Sequence, residues 1–226
     1  MLDKSNKVLG QQIKEHLTKL GINTPTIPNT LTDAEKVEQL TELYRKQHEI
    51  LGLDLEDDSL TETPLRVAKL QVYESMKGLD FDKFPKMTTV ENKFYDGMVS
   101  VNDIQLISMC EHHQERILGL VSIAYIPKKN GKVVGLSKMA RVVDWLGSQP
   151  IVQERFSAQL FEILKFVLDT DDVAINVRAM HLCMYARGVK DPCSNTITTL
   201  LGGQFKTDSA MRNEFMSQID HTKPLV

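Results

Sequence analysis

"DDVAINVRAMHLCMYARGV", residues 171–189, is the stretch whose reading decides the architecture. From Val173 the apolar side chains return at every second position, through Ile175, Val177 and Ala179, and a period of two predicts a β-strand, not a helix. Carried on in the same period, the face ends in His181 and Cys183, so a hydrophobic surface finishes in an imidazole and a thiol. Such a strand needs neighbours. "MVSVNDIQLISM" (98–109) and "ILGLVSIAYIP" (117–127) have the β-branched composition of strands, and "SNTITTLLGGQF" (194–205) reads as a Thr-rich strand broken at Gly202-Gly203.

Working outward, helices flank this β-rich part. Ser137 follows "VVGL" and is expected to cap a helix through Met139, Val142, Val143 and Leu146. Pro150 is expected to restart a helix whose core stripe is Val152, Phe156, Leu160, Ile163 and Val167. "SAMRNEFMSQI" (209–219) reads as a closing helix, and Asn130-Gly131 as a turn. Upstream of Pro85 the pattern is helical. Val8, Leu9, Ile13, Leu17 and Leu20 lead to Gly21 as a C-terminal stop, and Thr32 with Glu35 forms a capping-box signature before Val37, Leu40, Tyr44 and Leu51. Thr63 is expected as N-cap with Pro64 at the first helical position, and Gly78 as the end of that helix. The expectation is an α+β chain, helical over 1–85 and sheet-bearing over 86–226.

Composition narrows the functions. A chain of 226 residues with 42% apolar and 25% charged residues is long enough to bury a core, and a net charge of -3 argues against coating nucleic acid. "MLDKSNKVLGQQIKEHL" has no leader pattern and no membrane-length apolar run occurs, so a cytoplasmic protein with no membrane partner is expected. The cysteines number only three, too few and too scattered for a disulfide framework.

Chemistry concentrates in "SMCEHHQERILG" (108–119). Cys110 and His113 stand three apart, a spacing at which one turn of backbone aims a thiolate and an imidazole at one ion, while His112 points elsewhere. Cys183 on the later strand would add a second sulfur. A Cys2His set leaves zinc an open position for water and lowers that water's pKa to about 7. His112 and His181 would then be proton carriers. Two other readings stand beside this one: a closed structural site with Cys193 as fourth ligand, and a metal-free cluster of buried thiols and surface histidines. Lys138, Arg141 and Arg187 near the same segments suit phosphates, and Gln153 and Glu154 on an apolar helix suit a purine edge.

"TPLRVAK" (63–69), "CEHH" (110–113), "GLSKMARVV" (135–143), "QERF" (153–156), "HLCMYARGV" (181–189) and "LGGQF" (201–205), in this order, resemble GTP cyclohydrolase I from about residue 32 to about residue 220. The resemblance implies a tunnelling fold: N-terminal helices, then a four-stranded antiparallel sheet with two helices on one side, assembled as a homodecamer with interfacial active sites. It implies Zn2+ on Cys110, His113 and Cys183, and guanine anchored by Glu154 with Gln153 beside it. Ser137, Lys138, Arg141 and Arg187 match positions around the ribose and triphosphate, and Arg66 matches a phosphate-binding arginine from a neighbouring subunit. His112 and His181 match the family's catalytic histidines. The implied reaction opens the imidazole ring of GTP at C8, releases formate and closes a pterin ring to give 7,8-dihydroneopterin triphosphate. The chain departs from the family at Gln114, Glu115 and Arg116, where an aromatic and a later proline are common. Asn195 and Ile197 also interrupt the Thr-rich strand, and Cys193 belongs to no family motif. The alternative to turnover is a catalytically silent nucleotide-binding or structural-zinc regulatory protein of the same fold.

Overall fold

The computed structural model describes residues 5–220 and 222–225. The first four residues, on which the reading of the N-terminus partly rests, lie outside the described residues.

The N-terminal helices form where capping chemistry permits. α1 (Lys7–Lys19) opens on Asn6, whose side chain accepts the Leu9 N–H at 3.1 Å, and Gly21 follows its end at φ +70. Ile13 and Leu17 are buried in the main core, while Val8 and Leu20 of the expected stripe are exposed. α2 (Asp33–Ile50) has the anticipated capping box, with Thr32 and Glu35 bonded reciprocally. α3 (Thr63–Leu70) starts one residue earlier than expected. Glu62, already in helical conformation after the preceding turn, occupies the N-cap, and Pro64 is the second helical residue. Val37 of α2 packs on Ala68 and Val72 as a separate small cluster.

Gly78 does not end α3. The helix widens into a π-helical turn over Gln71–Ser75, followed by short 3-10 turns at Lys77–Leu79 and Phe81–Lys83. The glycine is needed for close approach instead: a Cβ at 78 would lie 2.1 Å from the Trp145 carbonyl oxygen, and the Gly78 N–H donates to the Ser148 carbonyl at 2.7 Å.

The named strands pair antiparallel. β1 (Thr89–Glu91) pairs with β4 (Lys132–Val134), and β2 (Val99–Met109), β3 (Arg116–Tyr125), β5 (Val173–His181) and β6 (Thr196–Leu201) form a four-stranded sheet in that order. The turn before β4 is present, with Asn130, not Gly131, in the left-handed region at φ +58. α4 (Leu136–Gly147) and α5 (Gln153–Leu168) cover one face, where Met139, Val142, Leu146, Phe156, Leu160 and Ile163 meet Val121, Ile123, Ile175 and Val177. Gly135 is the N-cap of α4, so Ser137 stands inside the first turn and caps nothing. α5 begins at Gln153, and Pro150 lies before it, bridged to Met109 at the end of β2.

The other face is also covered. Phe205 of α7 (Gly203–Thr207) and Phe215 of α8 (Ser209–Ser217) pack on Ala124 and Ala174, and Arg178 donates to the Lys223 carbonyl. Residues Val173–Ala179 are therefore buried on both sides of β5, including Asn176 and Arg178, which the alternation assigns to an open face. The strand also ends sooner than its period suggests. Cys183 lies in the short α6 (Leu182–Tyr185), not on the strand.

Register brings distant segments together. Met109 pairs with Arg116 across β2 and β3, and Ile117 pairs with His181 across β3 and β5. The turn after β2 and the end of β5 thus share one corner of the sheet.

Candidate metal centre and its surroundings

The turn at that corner is closed on itself. The Cys110 N–H donates to the Glu115 carbonyl at 2.8 Å, and the Gln114 N–H returns to the Cys110 carbonyl at 2.9 Å, an i to i+4 turn. Gln114 closes it with φ +55, a conformation that costs a non-glycine residue roughly 1–2 kcal/mol. The turn curls Cys110 and His113 toward one side. Cys110 is buried among Ile117 and Ala179, with Cys183 packed against them from α6.

Cys110, His113 and Cys183 place one ligand atom each within 4.8 Å of one another. A tetrahedral ion held at about 2.3 Å by sulfur and about 2.0 Å by nitrogen spaces its donors about 3.5–4 Å apart, so small rotations of these side chains satisfy it. Two soft sulfurs and an imidazole suit zinc among the common divalent ions. His113 is exposed, which leaves the site open on one side. Burial raises the pKa of the Cys183 thiol, and the neighbouring Cys110 thiol adds to this, while Arg187 opposes it. Without a cation this favours the neutral Cys183 thiol; a bound cation reverses that preference. Cys193 is exposed in a loop, with its N–H donating to Asp191, and among the described residues it is not part of the cluster.

His181 is held from behind. Its Nε2 lies 2.9 Å from Oε1 of Gln153, a buried side chain in the first turn of α5. The Gln153 Nε2 donates to the Val177 and Thr196 carbonyls, each at 3.1 Å, and to Thr198 Oγ1 at 3.2 Å. Carbonyls only accept, so the amide nitrogen must face them and the amide oxygen must face His181. The imidazole therefore carries a proton on Nε2, and Nδ1 is the nitrogen left without this partner. Burial lowers the His181 pKa, with Glu154 pulling it back up, which favours the neutral ring at neutral pH. The sequence expectation paired Gln153 with Glu154 at a purine edge. The Gln153 amide bonds His181 and the β5–β6 strands, and Glu154 is exposed beside it.

Of the remaining anticipated residues, His112 and Arg187 are at this corner, whereas Ser137, Lys138 and Arg141 open α4 toward the opposite end of the sheet, where the Val134 N–H donates to the Tyr125 hydroxyl; it is Gly147, at the other end of the helix, that approaches Ile107. His112 is exposed, its ring roughly perpendicular to that of His113 at 6.4 Å, and its Nε2 is 3.9 Å from Glu111 Oε1. Arg187 lies close enough to Cys183 to act on its thiol. Ser137 and Lys138 are in the first turn of α4, and Arg141 one turn on lines a cleft of about 660 Å³ with Lys77, Asp144 and Trp145. Arg66 is exposed on α3 and paired with Glu62 at 2.7 Å. Five residues further on, Gln71 Nε2 meets Gln114 Oε1 at 3.4 Å, so the end of α3 approaches the turn.

The sequence reading missed Glu111 and Arg155. The carboxylate Oε2 of Glu111 accepts from Arg155 Nη1 at 2.5 Å, joining the turn to α5. It also missed Arg116, whose guanidinium donates to Ser75 at 3.1 Å in the π-helical turn. The only signal was negative: Arg116 belongs to the segment that departs from the family pattern.

Known proteins give the same reading. The family model described as GTP cyclohydrolase I matches residues 40–220. A protein of Vibrio cholerae named GTP cyclohydrolase 1 is 47% identical over 205 residues, covering 90% of this chain and 94% of the relative. One of Aeromonas salmonicida with the same name is 48% identical over 205 residues, covering 90% and 93%. One of Shewanella loihica is 45% identical over 208 residues, covering 92% and 96%. With motifs, site geometry and full-length similarity in agreement, this chain belongs to the GTP cyclohydrolase I family.

Proposed function

We propose that the protein converts GTP and water into formate and 7,8-dihydroneopterin triphosphate, with zinc held by Cys110, His113 and Cys183. The observation that carries this reading is the convergence of those donor atoms within 4.8 Å at the corner where β5 also delivers His181. Zinc, when bound, supplies Lewis-acid activation of water at neutral pH.

The chain's own residues account for the rest. Glu154, exposed in the first turn of α5 next to His181, accepts donors from the guanine edge and so brings the purine against the imidazole. His181, fixed at Nε2 by Gln153, has Nδ1 as the atom at which a proton is exchanged with the purine nitrogen while the imidazole ring of GTP opens. A second hydrolysis frees formate. His112, exposed and adjacent to Glu111, assists opening of the ribose, and loss of one water on ring closure balances the sequence. Ser137, Lys138, Arg141 and Arg187 bind the ribose and triphosphate, Ser137 and Lys138 from the first turn of α4.

We further read the sheet with α4 and α5 as a tunnelling fold within residues 86–226, preceded by a helical region over 1–85. Copies assemble as a homodecamer with Arg66 reaching a neighbour's site, in the cytoplasm. Exposed Leu43, Ile50, Leu65 and Tyr73 on the α2–α3 side support further association. No helix among the described residues is long and apolar enough to cross a membrane. The test is formate release from GTP by purified protein, with zinc measured on the same sample. Formate together with about one zinc per chain supports the reading; zinc without formate moves it to the silent or regulatory alternative.

A further inference from the structure

We propose that Arg155 is a positioning residue which, through Glu111, holds the Cys110–Glu115 turn where Cys110 and His113 can share an ion with Cys183. The proposal rests on the metal reading above and adds the means by which the ligand turn is kept in place.

The pair is well placed for this. Glu111 stands between Cys110 and His112, and its Oε2 lies 2.5 Å from Arg155 Nη1, with both side chains only 25% exposed. Partial burial weakens solvent screening, so the pair is stronger than a surface contact. Its other oxygen faces His112 Nε2 at 3.9 Å. Arg155 is the third residue of α5, a position where the helix macrodipole disfavours a cation; the Glu111 carboxylate offsets that field, and among the described residues it is the ion-pair partner found for Arg155.

The turn needs an external hold. Its two backbone bonds are internal, and it contains the left-handed Gln114. A second side-chain tie, Gln71 to Gln114, is longer at 3.4 Å and exposed. The same first turn of α5 carries Gln153, which grips His181 from the other strand. One rigid helical turn therefore holds both halves of the site, Gln153 by neutral hydrogen bonds and Arg155 by charge. Loosening the second grip should be felt first by metal binding, because Glu111 is covalently next to a ligand.

The experiment is zinc affinity by chelator competition, together with kcat and KM for GTP, in the wild-type full-length protein, Arg155→Met, Arg155→Lys, Glu111→Gln and the Arg155→Met/Glu111→Gln double variant. Each neutralising change is expected to weaken zinc binding about 10–100-fold, as loss of an outer partner of a ligand does, and to lower kcat more than it raises KM. Arg155→Lys should recover part of the loss, and the double variant should be no worse than the worse single one, since both remove one interaction. Zinc affinity within about twofold of wild type in the single variants, or losses that simply multiply in the double, would overturn the proposal. Should Arg155→Met fail to fold, Glu111→Gln and Arg155→Lys carry the same test. If the wild-type protein itself holds no zinc, the metal reading falls, which is distinct from zinc binding that ignores Arg155.

Discussion

The two halves of the candidate centre are built by opposite means. His181 sits at the end of a strand buried on both faces, and its partner Gln153 is buried and satisfied by two carbonyls and a hydroxyl. Cys110 and His113 sit on a six-residue turn closed by internal bonds, strained at Gln114 and tied outward by a partly buried ion pair. The first half gets its precision from the core, whereas the second gets it from charge and local backbone geometry. The His181 side of the site should therefore resist salt and surface mutation, and the Cys110–Glu115 turn should respond to both.

The largest effect expected is from Cys183→Ala, which removes a ligand and should abolish zinc retention and formate release together. Cys193→Ala, in the exposed loop, should preserve both. Equal loss in the two variants, read by metal analysis and a formate assay, would favour the closed structural site and erase the distinction between the halves.

His181→Ala should keep zinc and GTP binding but slow formate release by roughly 10²–10⁴-fold, the usual contribution of a positioned acid or base. Zinc loss in that variant would make His181 a ligand. Gln153→Leu sharpens the contrast further. It removes the buried donor to the Val177 and Thr196 carbonyls and frees the ring of His181, so unfolding by urea should show a loss of about 1–3 kcal/mol, with reduced kcat as well. Unchanged stability would mean that the amide clamp is dispensable.

Much of this was legible in sequence because the signals were local. The period of two marked β5, β-branched composition marked β2, β3 and β6, and Thr32 with Glu35 gave the start of α2 to the residue. The Cys-x-x-His spacing placed two candidate ligands on one turn, and the turn geometry brings their donor atoms together with that of Cys183. What stayed hidden depends on pairing across space. Gln153 and His181 are separated by 28 residues, and Glu111 and Arg155 by 44, so neither contact leaves a periodic trace. The apolar period runs on through Cys183, but the chain turns into α6 after His181. Ser137 looked like a cap because serine favours that role; Gly135 takes it two residues earlier.

Smaller effects mark the difference between real and apparent caps. Thr32→Ala should cost about 1 kcal/mol, whereas Ser137→Ala should change stability by less than about 0.5 kcal/mol while affecting turnover, both read from urea midpoints. The smallest effect concerns acid stability. The Lys83 ammonium, 2.5 Å away, holds the Asp33 carboxyl below its ordinary pKa, so the pair's stabilisation is present above pH about 4 and fades as pH falls through the lowered value. Lys83→Met should remove that slope, and an unchanged acid-unfolding curve would show that the contact carries no linkage.

Whether a Cys110–His113–Cys183 centre drives GTP turnover is decided by titrating zinc into metal-stripped protein while formate release is followed. Activity should return in proportion to zinc and level off near one equivalent per chain, and Cys183→Ala should not respond. Full formate release from stripped protein, or zinc binding that restores none, would contradict the account.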